Sequence, residues 1–129
     1  MQPDAICGMG TDLVEVEAIA RALQRGKGGF AQRVFTEAER EYCEGRRWKF
    51  QHYAGRFAAK EAFFKALGTG WRRGLGWREV EVFPGELGNP LMRLHGEARF
   101  AADRMGAQGL HLSISHTQQM AIAVVILTR

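Results

Sequence analysis

The chain has 129 residues, 46% of them hydrophobic and 25% charged, with 18 basic and 14 acidic side chains for a formal charge of +4. That length holds one domain, residues 1–129, and the balance excludes disordered, collagen-like and disulfide-scaffold classes. Fourteen of the 18 basic residues are Arg; its planar fork suits phosphates and carboxylates, so an anionic partner is one reading and codon bias the other.

Ala5 to Leu13 reads as a strand with Ile6, Gly8, Gly10 and Asp12 on one face and Cys7, Met9, Thr11 and Leu13 on the other. Two glycines strip the first face of side chains, so something approaches the backbone there or the strand bends. A helix follows from Glu15 to Gln24, with Val16, Ile19, Ala20 and Leu23 at helical spacing and Arg21 and Arg25 on the far face; Gly26, Gly28 and Gly29 end it. Thr36-Glu37-Ala38-Glu39 has the capping-box pattern and opens a short helix to Glu44. The next helix, Trp48 to Leu67, is stopped by Gly68 as a left-handed cap. Its Phe50, Tyr53, Ala54, Phe57, Glu61 and Phe64 share one stripe, which places a carboxylate in line with apolar side chains.

Trp77 to Phe83 and Leu91 to His95 read as strands, punctuated by Pro84-Gly85 and Asn89-Pro90. A helix from Gly96 to Met105 uses Ala98, Phe100, Ala101 and Met105, and two strands, Leu110 to Ser115 and Met120 to Thr128, close the chain. The last is apolar on both faces, so it is central in its sheet or covered by another subunit. The order makes the fold α+β, mainly antiparallel sheet packed with helices. Cys7 and Cys43 read as buried, reduced thiols of a cytoplasmic protein. No signal-peptide pattern opens the sequence, and the apolar run Met120 to Leu127 is too short to span a bilayer.

Glu61 is the energetically awkward residue. A carboxylate withdrawn from water needs a cation, and Lys65, one turn later, stands in the favourable i,i+4 order. A plain intrahelical pair is therefore one reading. Asp12, at the end of the glycine-thinned strand, is read either as a helix N-cap or as a second carboxylate converging with Glu61. Two carboxylates completed by waters and substrate phosphates are the usual magnesium arrangement, and Cys and His spacing for zinc is absent. Ser113-Ile114-Ser115-His116-Thr117 reads as a polar turn or a phosphate holder. Gly68-Thr69-Gly70 lacks the Walker pattern and reads as a cap and turn. Arg46, Arg47, Trp48, Lys49, Arg72 and Arg73 offer the alternative of a small basic nucleic-acid-binding module. His52, His95 and His111 share no spacing and receive no role.

Three segments in order, Gly10-Thr11-Asp12-Leu13, Arg56-Phe57-Ala58-Ala59-Lys60-Glu61-Ala62-Phe63-Phe64-Lys65-Ala66 and Ser113-Ile114-Ser115-His116-Thr117, closely resemble the holo-[acyl-carrier-protein] synthases, the short bacterial 4'-phosphopantetheinyl transferases. The resemblance implies Mg²⁺-dependent transfer of the 4'-phosphopantetheine arm of coenzyme A to a serine of apo acyl carrier protein, releasing adenosine 3',5'-bisphosphate, in fatty acid biosynthesis. It implies a homotrimer with active sites between subunits, and neither a nucleic-acid nor a membrane partner. By similarity Asp12 and Glu61 ligate the metal, and Ser115, His116 and Thr117 of the neighbouring subunit hold coenzyme A phosphates. Arg56, Lys65 and Pro90 also line the cleft. Lys65 offsets charge on the leaving group, while Glu61 or a metal-bound water takes the serine proton. The family's usual arginine six residues after the metal Asp is Ala18 here; Arg21 and Arg25 on the same helix are the carrier contacts that remain.

Overall fold

The computed structural model describes residues 5–26, 28–68 and 76–129. The chain runs β1 (Ile6–Glu15), α1 (Val16–Arg25), α2 (Gly29–Val34), α3 (Glu37–Glu44), α4 (Lys49–Ala66), a 3-10 turn (Trp77–Glu79), β2 (Val80–Pro84), β3 (Pro90–Leu94), α5 (Gly96–Arg104), β4 (Gly109–His116) and β5 (Met120–Thr128). This is α+β. β1, β5 and β4 form one antiparallel sheet in that order, and β2 and β3 form a separate antiparallel hairpin. β5 is central, as its two-sided apolarity demands. Its Ala121, Ala123, Val125 and Leu127 are buried, while Ile122 on the other face is exposed.

Gly8 and Gly10 show what approaches the thinned face. A Cβ on Gly10 would collide with the carbonyl oxygen of Ala62 and the amide of Ala66, and one on Gly8 with the carbonyl of Ala66. The two glycines therefore let the backbone of α4 lie directly on β1. Small residues match them from the helix side, where Ala58, Ala59, Ala62 and Ala66 are buried against β5 and the β2 valines. At the C-terminus of α4, Gly68 takes φ +82°, the left-handed cap read from the sequence.

The capping box of α3 forms as expected: Thr36 Oγ1 accepts from the Glu39 amide at 3.1 Å and Glu39 Oε1 accepts from the Thr36 amide at 2.8 Å. Three expectations need correction. The glycines after α1 end that helix, but Gly28, at φ +89°, opens the extra six-residue helix α2, too short to declare a period. Trp77–Glu79 is a 3-10 turn rather than strand, because the Glu79 carboxylate folds back to accept from the Gly76 amide at 3.4 Å and the Ala98 amide at 3.1 Å. On α5 the inward residues are Ala98 and Ala102, four apart; Phe100, two residues from Ala98 and so on the opposite side of the helix, is 55% exposed.

Both cysteines are free thiols, but only Cys43 is buried as expected, which pushes its thiol up to about 12; Cys7, on β1, is half-buried at the edge of the core. Among the described residues no helix is long and apolar enough to cross a membrane. Thr69, Gly70, Arg72 and Arg73, which figured in the turn and nucleic-acid readings, lie outside the described residues.

Candidate active site

The site residues fall into two groups. The first is built by β1 and α4. Asp12 shares the face of Gly8 and Gly10, so the close approach of α4 brings it beside the turn that carries Glu61 and Lys65. Lys65 Nζ lies 3.0 Å from Asp12 Oδ1 and donates to the Thr11 carbonyl at 3.0 Å. The intrahelical Glu61–Lys65 pair is thus not the one that forms; the cation bridges to the strand. Glu61 has no hydrogen-bond or ion-pair partner among the described residues. Burial first, and then the Asp12 carboxylate, raise its pKa, with Lys65 opposing from a distance. Asp12 sits opposite Ala123 in the β1–β5 register and is not a helix N-cap; α1 starts at Val16, four residues after Asp12, with Glu15 at the cap position.

Two coupled carboxylates, one of them uncompensated, fit a hard divalent cation that takes its other ligands from water and phosphate. Among the described residues no cluster of three or more His, Cys, Asp or Glu offers a closed cage of the zinc type.

The second group gathers around Tyr42, near the end of α3. The Arg46 guanidinium lies 3.6 Å from its ring centroid and that of Arg56, from α4, lies 4.0 Å away. His52, one turn before Arg56, meets the Tyr42 ring edge-on at 5.6 Å and the His116 ring at 5.8 Å. Burial and the neighbouring Arg56, His116 and Arg46 hold the His52 pKa down. Arg56 is 5% exposed, and its Nε is buried without an acceptor. This joins Arg56 to His116 within one chain, and it recruits Arg46 and His52. The i,i+4 spacing of His52 and Arg56 is the sequence signal that could have found the histidine.

At the end of β4, Ser115 and His116 are exposed, and Thr117 Oγ1 closes the turn by accepting from the amides of Gln119 and Met120 at 3.2 and 3.1 Å. Arg56 and Glu61 are five residues apart, about 140° around the helix. The two groups therefore face different sides of α4, and one chain does not bring Arg56 to Asp12. Pro90 belongs to neither. It opens β3 opposite Pro84 and lines a cavity of about 390 Å³ with Asn89, His111 and Leu112. Arg21 and Arg25 are exposed one turn apart on α1. At the basic corner, Arg47 stacks on Trp48 at 4.8 Å and Lys49 pairs with Glu44 at 3.2 Å, so part of its charge is engaged internally.

A model of the 4'-phosphopantetheinyl transferase superfamily matches residues 8–125. A holo-[acyl-carrier-protein] synthase of Solibacter usitatus is 45% identical over 122 residues, covering 95% of this chain and 98% of that protein. Among solved structures, the holo-[acyl-carrier-protein] synthase of Neisseria meningitidis superposes with a TM-score of 0.88 at 31% identity, over 96% of this chain and 99% of that one. The Bacillus anthracis enzyme, in complex with CoA (3',5'-ADP), gives 0.79 at 34% identity, over 97% and 98%. The chain belongs to the 4'-phosphopantetheinyl transferase superfamily and, within it, to the holo-[acyl-carrier-protein] synthase family.

Proposed function

We propose that this chain transfers the 4'-phosphopantetheine arm of coenzyme A to a serine hydroxyl of an apo acyl carrier protein, with Mg²⁺, in the cytoplasm and in the service of fatty acid biosynthesis. The observation that carries the reading is the Asp12–Glu61–Lys65 group, two carboxylates and one ammonium on the junction of β1 and α4. The serine oxygen forms a bond to the phosphorus of the arm, the bond to the adenosine-side phosphate breaks, and adenosine 3',5'-bisphosphate leaves. Mg²⁺, when held by Asp12 and Glu61, supplies charge neutralisation at the pyrophosphate oxygens. Lys65, 51% exposed at its side chain, is free to swing from Asp12 to the leaving phosphate. Glu61, or a water on the cation, would receive the serine proton.

The substrate's other end needs cations, and Arg56 and His116, with Ser115 and Thr117 beside them, form the half-site for its phosphates. Because the two half-sites face different sides of α4, a complete site forms where the cationic group of one subunit, with Pro90 near its rim, meets the carboxylate group of another. A homotrimer provides that arrangement. The outer face of the β1–β5–β4 sheet, where Met9 is 60%, Leu13 61% and Ile122 39% exposed, is the apolar surface available for it. Gly8 and Gly10 are not part of that surface, since α4 of the same chain covers them. Arg21 and Arg25 face the acidic carrier.

Incubation with coenzyme A, Mg²⁺ and several apo carriers, followed by intact-mass measurement, tests the reading. A carrier should gain one phosphopantetheine, and chelation of the metal should stop the gain. No gain on any carrier overturns it.

A further inference from the structure

α3 and α4 meet at the ring of one residue that neither metal nor substrate chemistry requires, and His52 links that ring to the end of β4. Tyr42 holds the Arg46 guanidinium at 3.6 Å and that of Arg56 at 4.0 Å, and its edge meets His52, whose ring leads to His116. Arg46 Nη1 also donates to the Tyr42 carbonyl at 3.3 Å, so that arginine is tied to Tyr42 at both backbone and ring. Among the described residues none of Arg46, Arg56, His52 and His116 has a carboxylate ion-pair partner. Arg56 is nine-tenths buried and its Nε finds no acceptor.

Guanidiniums brought close repel one another, and a buried cation without a counter-ion is costly. The negative face of an aromatic ring offsets part of that cost and fixes where each guanidinium lies. The rest is what a bound anion supplies. The Tyr42 hydroxyl makes no hydrogen bond among the described residues, so the ring does this work.

We propose that Tyr42 is the positioning residue of the cationic half-site: its ring sets Arg46 and Arg56, and through His52 it sets His116, for the phosphates of coenzyme A. The inference rests on the function proposed above. It separates two roles that a packing side chain would not. Tyr42 governs affinity for coenzyme A and leaves the chemical step, which belongs to Asp12, Glu61 and Lys65, alone.

The test is steady-state transfer at saturating Mg²⁺ and carrier for the wild type, Tyr42→Phe and Tyr42→Met, with thermal melts of each. Tyr42→Met keeps side-chain bulk and loses the π face; its KM for coenzyme A should rise about 10-fold with kcat within about twofold of wild type. Tyr42→Phe should restore KM to within about twofold. A wild-type KM in Tyr42→Met overturns the proposal, as does a fall in kcat at unchanged KM, or a Tyr42→Phe variant as impaired as Tyr42→Met. If Tyr42→Met does not fold, Tyr42→Leu replaces it and is read the same way: a severalfold rise in KM that Tyr42→Phe does not show supports the proposal, and a wild-type KM overturns it. A wild-type chain that modifies no carrier would sink the proposed function and this inference together. A wild-type chain that transfers, beside a Tyr42→Met variant with unaltered KM, sinks the inference alone.

Discussion

Lys65 gives its ammonium to Asp12, 3.0 Å away across the β1–α4 junction, and not to Glu61 one turn behind it on its own helix. Glu61 is left partly buried beside a second carboxylate, and both conditions disfavour its charged form. Such a residue is maintained against stability, the usual condition of a site that waits for a cation.

Glu61→Gln should therefore melt higher than the wild type at pH 7 in chelator. A carboxyl whose folded pKa is raised contributes stability in its protonated form, which is lost as pH rises through the folded value. The difference in melting temperature between variant and wild type should be largest near pH 7 and shrink as pH falls toward the ordinary value of 4.5. A variant that melts lower than wild type across that range would mean that Glu61 is a structural group.

Lys60 and Glu39 should behave in the opposite way. Lys60 Nζ, wholly buried, donates to Glu39 Oε1 at 2.8 Å, to the Trp77 carbonyl at 3.1 Å and to the Val80 carbonyl, while Glu39 Oε2 accepts from the Val82 amide at 2.7 Å. The pair pins α3, α4 and β2 together and fixes the rotation of α4 next to Glu61. Removing one partner strands the other, so Lys60→Met should cost about 3–5 kcal/mol in urea unfolding. Lys60→Met combined with Glu39→Leu should cost less than the sum of the single changes; strict additivity would show the two charges to be uncoupled.

Gly10→Ala tests the close approach that sets Asp12 against α4. The added methyl meets backbone atoms of Ala62 and Ala66, which cannot rotate away as a side chain can. A loss of about 2 kcal/mol or more in denaturant unfolding is expected, with a drop in transfer rate because Asp12 moves with the strand. A variant of unchanged stability would mean that the strand and helix can separate freely.

The open sheet face is tested with Leu13→Glu. Leu13 is 61% exposed and lies opposite Ile122 in the β1–β5 register, so a charge there should split the assembly. Light scattering should give three chain masses for the wild type and the single mass of 14.5 kDa for the variant. Equal masses for the two proteins would remove this face from the interface.

Much of the fold could be read locally. The capping box at Thr36, the left-handed stop at Gly68 and the two-sided apolarity of β5 each depend on residues close in sequence, and each stands in the structure as read. The glycine parity of β1 left a close approach and a bend as alternatives, and only the structure shows that α4 makes the approach. What the sequence concealed are pairings over long separations. Lys60 looks like any helix cation until Glu39, 21 residues earlier, and two backbone carbonyls are brought to it. Lys65 has a ready local partner in Glu61, and only the packing of β1 against α4 shows that Asp12 takes it. Tyr42 and His52 sit on separate helices, with no shared period to connect them to each other or to His116.

The most direct test of the whole account is intact-mass measurement of an apo acyl carrier protein after incubation with coenzyme A and Mg²⁺, run side by side with the wild type and Glu61→Gln. The wild type should add one phosphopantetheine to the carrier, and Glu61→Gln, though folded and no less stable, should add none in the same time. Transfer by Glu61→Gln at the wild-type rate would contradict the account.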